Sequence, residues 1–245
     1  MLTSLAGGDL LADKTGSSPA RVVALHGWGR SGLDFSRILD GLDALAPHLP
    51  GFGITPEPPA AWGTTEYADA LAVALAGSEP VVVVGHSFGG RVAVRLAAKY
   101  PELVSGLVLT GVPLVRLVPA PKPALGFRVV RALARLGLVS EKTLEKQRNK
   151  RGSADYRAAQ GIMRAVMVTT VSETYRDDLA RITAPARFVW GAKDTAAPAD
   201  AGKVASELVA GARFREIDGA GHLLEGDLET AVREELFALI DELKG

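Results

Sequence analysis

The run Val81–Gly90, VVVVGHSFGG, passes from four valines to a serine held between Gly85 and Gly89. A serine hydroxyl is a weak nucleophile at neutral pH, so it does chemistry only with a base in hydrogen-bond reach and a third group orienting that base. The local context suits such a role. Residues 85–89 read G-x-S-x-G directly after an apolar, β-branched run and directly before the helical pattern RVAVRLAAKYPE. A sharp strand-to-helix turn of this kind exposes the hydroxyl at its apex, and the helix N-terminus below offers amide N–H groups to developing negative charge.

The chain has four histidines from which a base can come. His26, in LHGWG, reads as a structural residue tying down its loop, and His86 occupies the variable position beside the serine with its side chain turned from the hydroxyl. His48, in APHLPGFG, lies on a loop that nothing marks as basic machinery. His222, in IDGAGHLLEG, follows the strand-like ARFREID on a loop of small residues and is the candidate base. The orienting acid should stand at a strand end, because an α/β sheet assembles its site at the carboxyl edge. Asp194, just after the apolar ARFVWG, fits better than Asp218, which ends its own strand, or Asp200, which opens a helix. The candidate constellation is Ser87, Asp194 and His222.

The elements that must position these residues alternate along the chain. Buried parallel strands are expected at Arg21–Gly27, Val81–His86, Leu103–Gly111 and Ala186–Gly191, where continuous apolar runs replace polar alternation. Between them TTEYADALAVALAG reads as a helix with Thr65 as N-cap and Gly77 as stop, and the helix after Ser87 ends before Pro101. This predicts an α/β doubly wound, mostly parallel sheet. From Leu114 to Thr183 no convincing strand follows, only prolines and helical patterns such as FRVVRALARLG and YRAAQGIMRAVMVTTV. Roughly seventy residues are too many for an ordinary connection. The expected organisation is a core of residues 1–113 and 184–245 with a helical cap at 114–183.

Composition narrows the class. A chain of 245 residues, 47% hydrophobic, suits one compact core, and 28 basic against 28 acidic residues leave no global field to recruit nucleic acid or an anionic membrane. The absence of cysteine excludes disulfides, thiolate zinc sites and cysteine nucleophiles. No leader pattern and no apolar stretch of about 18 residues is present, so a soluble, cytoplasmic protein without an integral membrane segment is expected.

LHGWGRSGLDF, LPGFG, VVGHSFGGRVAVRLAAKYPELVSGLVLTG, WGAKDTAAP and GAGH together resemble the successive signatures of the α/β-hydrolase fold superfamily, over nearly the whole chain. The chain order Ser87, Asp194, His222 is the order of that fold. The resemblance implies that the backbone N–H groups of Trp28 and Phe88 form an oxyanion hole. Where members often carry an aspartate before LPGFG, this chain has His48. The implied chemistry is hydrolysis of a small-molecule carboxylic ester or thioester through an acyl-enzyme on Ser87, with no metal or organic cofactor. A serine at this position argues against the dehalogenase and epoxide hydrolase chemistries, which need a carboxylate nucleophile.

Substrate choice is expected to lie with the cap, whose first half is basic: Leu114–Arg151 holds ten basic residues against two acidic. That surface suits an anionic ligand or a lipid face, or a solvated helix with arginine stems covering apolar area, which is the preferred reading. Trp62, Phe127, Met163 and Met167 are candidate linings of an acyl pocket. Arg91, directly after the glycines, resembles a feature of the menaquinone-pathway lyase of the superfamily and is preferred as a solvent-facing helix residue. A carbon–carbon-cleaving enzyme on a carboxylated substrate, a cofactor-free perhydrolase and a ligand receptor retaining the triad are the alternatives.

Overall fold

The computed structural model describes residues 1–117, 140 and 154–245. Phe127 and nearly all of the basic half of the expected cap lie outside them. Among the described residues eight strands form one sheet: β1 (Leu2–Leu5), β2 (Leu10–Thr15), β3 (Val22–Leu25), β4 (Ala44–His48), β5 (Val81–His86), β6 (Val104–Thr110), β7 (Ala186–Gly191) and β8 (Arg213–Ile217). Their order is β1-β2-β4-β3-β5-β6-β7-β8; β1–β2 and β2–β4 are antiparallel and the rest parallel. The sheet is flanked by α1 (Thr64–Ala74), α2 (Phe88–Lys99), α6 (Ala199–Glu207) and α7 (Gly226–Glu242). Between β6 and β7 fall α3 (Ala154–Ala158), α4 (Gly161–Ser172) and α5 (Arg176–Arg181).

The four valines are explained by burial on both faces. Val81 and Val83 enter the core layer shared with α1 and α2, whereas Val82 and Val84 enter the layer beneath α7 and the 32–39 turn. A fully buried aliphatic side chain contributes about 1.5–3 kcal/mol, so β5 is fixed by packing rather than by propensity alone.

At the end of β5 the chain must reverse into α2 within one residue. Ser87 takes φ 50° and ψ −114°, a conformation costing on the order of 1–3 kcal/mol. Gly89 allows the turn to sit against the sheet: a Cβ there would lie 2.1 Å from the Leu25 carbonyl oxygen, and its N–H instead donates to the His26 carbonyl at 3.0 Å.

Three local expectations change. α1 begins at Thr64, not after Thr65, because its first amides find carboxylates: Glu66 accepts from the Gly63 N–H at 2.8 Å and Glu173 from the Thr64 N–H at 3.0 Å. The helical pattern of residues 156–171 splits into α3 and α4 at Gly161, whose φ is +50°. Arg91 does not face solvent. It lies under α4, donating from Nη1 to the Thr170 carbonyl at 3.1 Å. Arg95, one turn on, pairs with buried Asp178 and donates to the Thr174 carbonyl at 3.2 Å. The segment between β6 and β7 is thus bonded to α1 and α2 through Glu173, Thr170, Thr174 and Asp178.

Among the described residues no helix is long and apolar enough to cross a membrane.

Candidate active site

Ser87 projects from the β5–α2 turn, Asp194 from the turn after β7, and His222 from the loop between β8 and α7, all at the carboxyl edge of the parallel strands. The structure brings them together. His222 Nδ1 lies 2.8 Å from Asp194 Oδ2, and His222 Nε2 lies 3.2 Å from Ser87 Oγ. Asp194 is buried, and its other oxygen accepts from the amides of Ala196 and Ala197, each at 2.8 Å. A carboxylate so held can only accept from the imidazole, so Nδ1 carries the proton and Nε2 presents a lone pair to the serine hydroxyl. Asp218 is exposed in the turn after β8, and Asp200 is exposed in the first turn of α6.

The other histidines have separate partners. His26 Nδ1 donates to the Gly27 carbonyl at 2.8 Å and Nε2 accepts from the Leu49 N–H at 3.1 Å, which ties the loop after β3 to the loop after β4. His48 lies in β4, with Nε2 3.1 Å from Asp13 Oδ2, away from the serine constellation. His86 is buried with Nε2 2.9 Å from the main-chain carbonyl of His222, a connection absent from the sequence reading.

Burial pushes both His26 and His86 down from 6.5 to about 4. The hydrogen bond to Gly27 partly offsets this for His26, and the neighbouring His222 adds to it for His86. In the unfolded chain both imidazoles would take protons near 6.5, so between that pH and about 4 the unfolded state binds more protons and folding stability decreases as the pH is lowered. The loss is complete near pH 4 and amounts to about 3 kcal/mol for each histidine. Urea midpoints should therefore drop between pH 7.5 and 4.5, and His86→Gln should show a shallower drop than the wild type. Equal slopes for the two proteins would contradict this.

Trp28 and Phe88 stand on either side of the serine turn, and their rings belong to one aromatic cluster. Trp28 meets Phe52 and Phe88 edge-on at 4.9 and 5.3 Å between centroids, and Tyr67 meets Phe88 at 5.2 Å. Among the described residues neither the Trp28 nor the Phe88 amide meets a protein acceptor. Phe52 and Tyr67 are additions to the expected site; the aromatic in LPGFG and the apolar spacing of α1 are their signals in the sequence.

Of the expected pocket residues, Trp62 is half-buried and packs edge-on against Tyr67 at 5.4 Å. Met163 and Met167 are buried on α4, Met163 packing over Gly51 in the loop after β4. Met163 joins the main core layer and Trp62 its margin. Phe127 falls outside the described residues.

Fold and site together define an α/β hydrolase, and comparison with known proteins agrees. A profile of the Alpha/beta hydrolase family matches residues 22–234, and the chain belongs to that family. The chain is 30% identical over 238 residues to a pimeloyl-(acyl-carrier protein) methyl ester esterase of Chromobacterium violaceum, covering 87% of this chain and 91% of that protein. It is 45% identical over 98 residues to lipase LipV of Mycobacterium tuberculosis, a match spanning 38% of this chain and only 37% of the lipase. Among solved structures, an esterase from Exiguobacterium antarcticum superposes with a TM-score of 0.72 at 20% identity, covering 100% of this chain and 99% of that one.

Proposed function

We propose that this protein hydrolyses carboxylic esters or thioesters by acyl transfer through Ser87. The observation that carries the reading is the continuous relay from the Ser87 hydroxyl through the His222 ring to the buried Asp194. His222 Nε2 takes the hydroxyl proton as Ser87 Oγ attacks the carbonyl carbon. The amides of Trp28 and Phe88 hold the resulting oxyanion; preset donors of this kind stabilise it by roughly 3–4 kcal/mol each. The imidazolium returns its proton to the departing alcohol or thiol, and water, activated by the same Nε2, then releases the acid and restores Ser87. General acid–base transfer of this type contributes about 10²–10⁴-fold.

The names of the relatives support ester chemistry, since one is a lipase and another a methyl ester esterase. In this reading residues 114–183 are a cap insertion, of which residues 114–117, 140 and 154–183 are among those described.

The test is a panel of p-nitrophenyl esters from acetate to long acyl chains, run with a fluorophosphonate probe. Repeated turnover of at least one ester and covalent capture at Ser87 are expected. Capture without turnover would move the protein to the receptor class, and neither would remove the reading.

A further inference from the structure

His86 is a strand residue that the acyl-transfer steps do not use, yet it contacts both loops on which they depend. Its ring is 3% exposed. On one side Nε2 lies 2.9 Å from the carbonyl oxygen of His222, and the two imidazole centroids are 5.0 Å apart. A carbonyl can only accept, so Nε2 bears the proton and Nδ1 is left without one. On the other side the ring lies against the backbone of Gly27, the residue before Trp28. A Cβ on Gly27 would stand 3.0 Å from His86 Nδ1 and 3.5 Å from Ser87 Cβ, so a glycine there lets the ring and the serine approach this closely.

We propose that His86 is a positioning residue: lodged between the His222 loop and the Gly27–Trp28 loop, it sets where base and oxyanion donor stand relative to Ser87. This rests on the serine-hydrolase reading given above.

The need for such a residue follows from how unequally the parts are held. The Ser87 turn is tied to the sheet through the Ser87 N–H to the Thr110 carbonyl at 3.1 Å and the Gly89 N–H to the His26 carbonyl at 3.0 Å. The His222 loop is partly exposed. Its upstream end is held by the Lys193 N–H donating to the Ala220 carbonyl at 2.8 Å, and among the described residues the main-chain hydrogen bond at His222 itself is the one from His86. Without that donor the imidazole keeps its side-chain partners, but the backbone at residue 222, beyond the anchor at Ala220, loses its hydrogen bond. A displacement of about 1 Å at a reacting group can cost about 10²-fold in rate.

Histidine suits the place because it is flat enough to stack beside Gly27, carries one donor at the required reach, and stays neutral. Burial holds it at about 4; the charge of a protonated His222 ring lowers it further, while the hydrogen bond to the His222 carbonyl and the carboxylates of Asp34 and Asp194 raise it.

The test compares His86→Leu, which removes the donor, with His86→Gln, whose side-chain amide can reach the same carbonyl. In His86→Leu, kcat on the best p-nitrophenyl ester should fall about 10- to 100-fold with KM within about two-fold of wild type. His86→Gln should recover most of that loss. As a readout separate from turnover, the proton NMR resonance of the His222 Nδ1–H should broaden or vanish in His86→Leu, well below its melting temperature, and persist in His86→Gln. Wild-type kcat and an intact resonance in His86→Leu would overturn the proposal, as would a glutamine variant no better than leucine. If the wild type turns over no ester while the His222 resonance still depends on residue 86, the serine-hydrolase reading fails and the positioning role stands.

Discussion

Replacing Ser87 by alanine is expected to lower kcat/KM for p-nitrophenyl esters by about 10³- to 10⁶-fold and to abolish fluorophosphonate labelling, with the fold intact. The separation of activity from stability follows from the geometry. Alanine keeps the Cβ, so the unusual φ of 50° at this position is as strained in the variant as in the wild type. The main-chain bonds that shape the turn, from the Ser87 N–H to Thr110 and from the Gly89 N–H to His26, do not involve the hydroxyl. What is lost is the atom 3.2 Å from His222 Nε2. Any residual rate would come from water positioned by the remaining base and amides, which is why the expected loss is large but finite. The measurements are steady-state kinetics beside a thermal melt. A variant that melts with the wild type and still turns over esters would place the nucleophile elsewhere.

The fold was legible where burial dictates sequence. Runs such as VVVV in β5 and ARFVWG in β7 must be apolar because both faces of those strands are covered. β1, β2 and β4 were not legible. β1 is an edge strand with alternating exposure, β2 carries Asp13 and Lys14, and β4 contains Pro47, which argues against a strand in isolation. Pro47 stands opposite Ala12 of β2, and the pairing of β4 with β3 on its other side ends at Leu45, two residues earlier.

The candidate site divides the same way. Ser87, Asp194 and His222 each carry a local signal: a glycine-flanked turn, a strand end and a small-residue loop. The reach of His86 to the carbonyl of a residue 136 positions away carries none, since a buried histidine in a strand looks like core. Arg91 misled for a related reason. Its exposure is decided by α4, an element from another part of the chain that covers it.

Asp194→Asn should reduce kcat by about 10⁴-fold while leaving KM and stability nearly unchanged, because the surrounding amides determine which way an asparagine must turn. Oδ1 of Asp194 accepts two N–H groups, from Ala196 and Ala197, each at 2.8 Å. Only the carbonyl oxygen of asparagine can replace it there, which forces the NH₂ group to the Oδ2 position facing His222 Nδ1. That nitrogen must then accept rather than donate, so the proton moves to Nε2 and the lone pair that should take the Ser87 proton is gone. The ring remains in place in the wrong tautomer. Asp218→Asn, in an exposed turn, should leave kcat within about two-fold of wild type, in keeping with the small effect of surface substitutions. Kinetics on the two variants decide between the carboxylates: a crippled Asp218→Asn beside an active Asp194→Asn would mean that the contact between Asp194 and His222 does not orient the base during turnover.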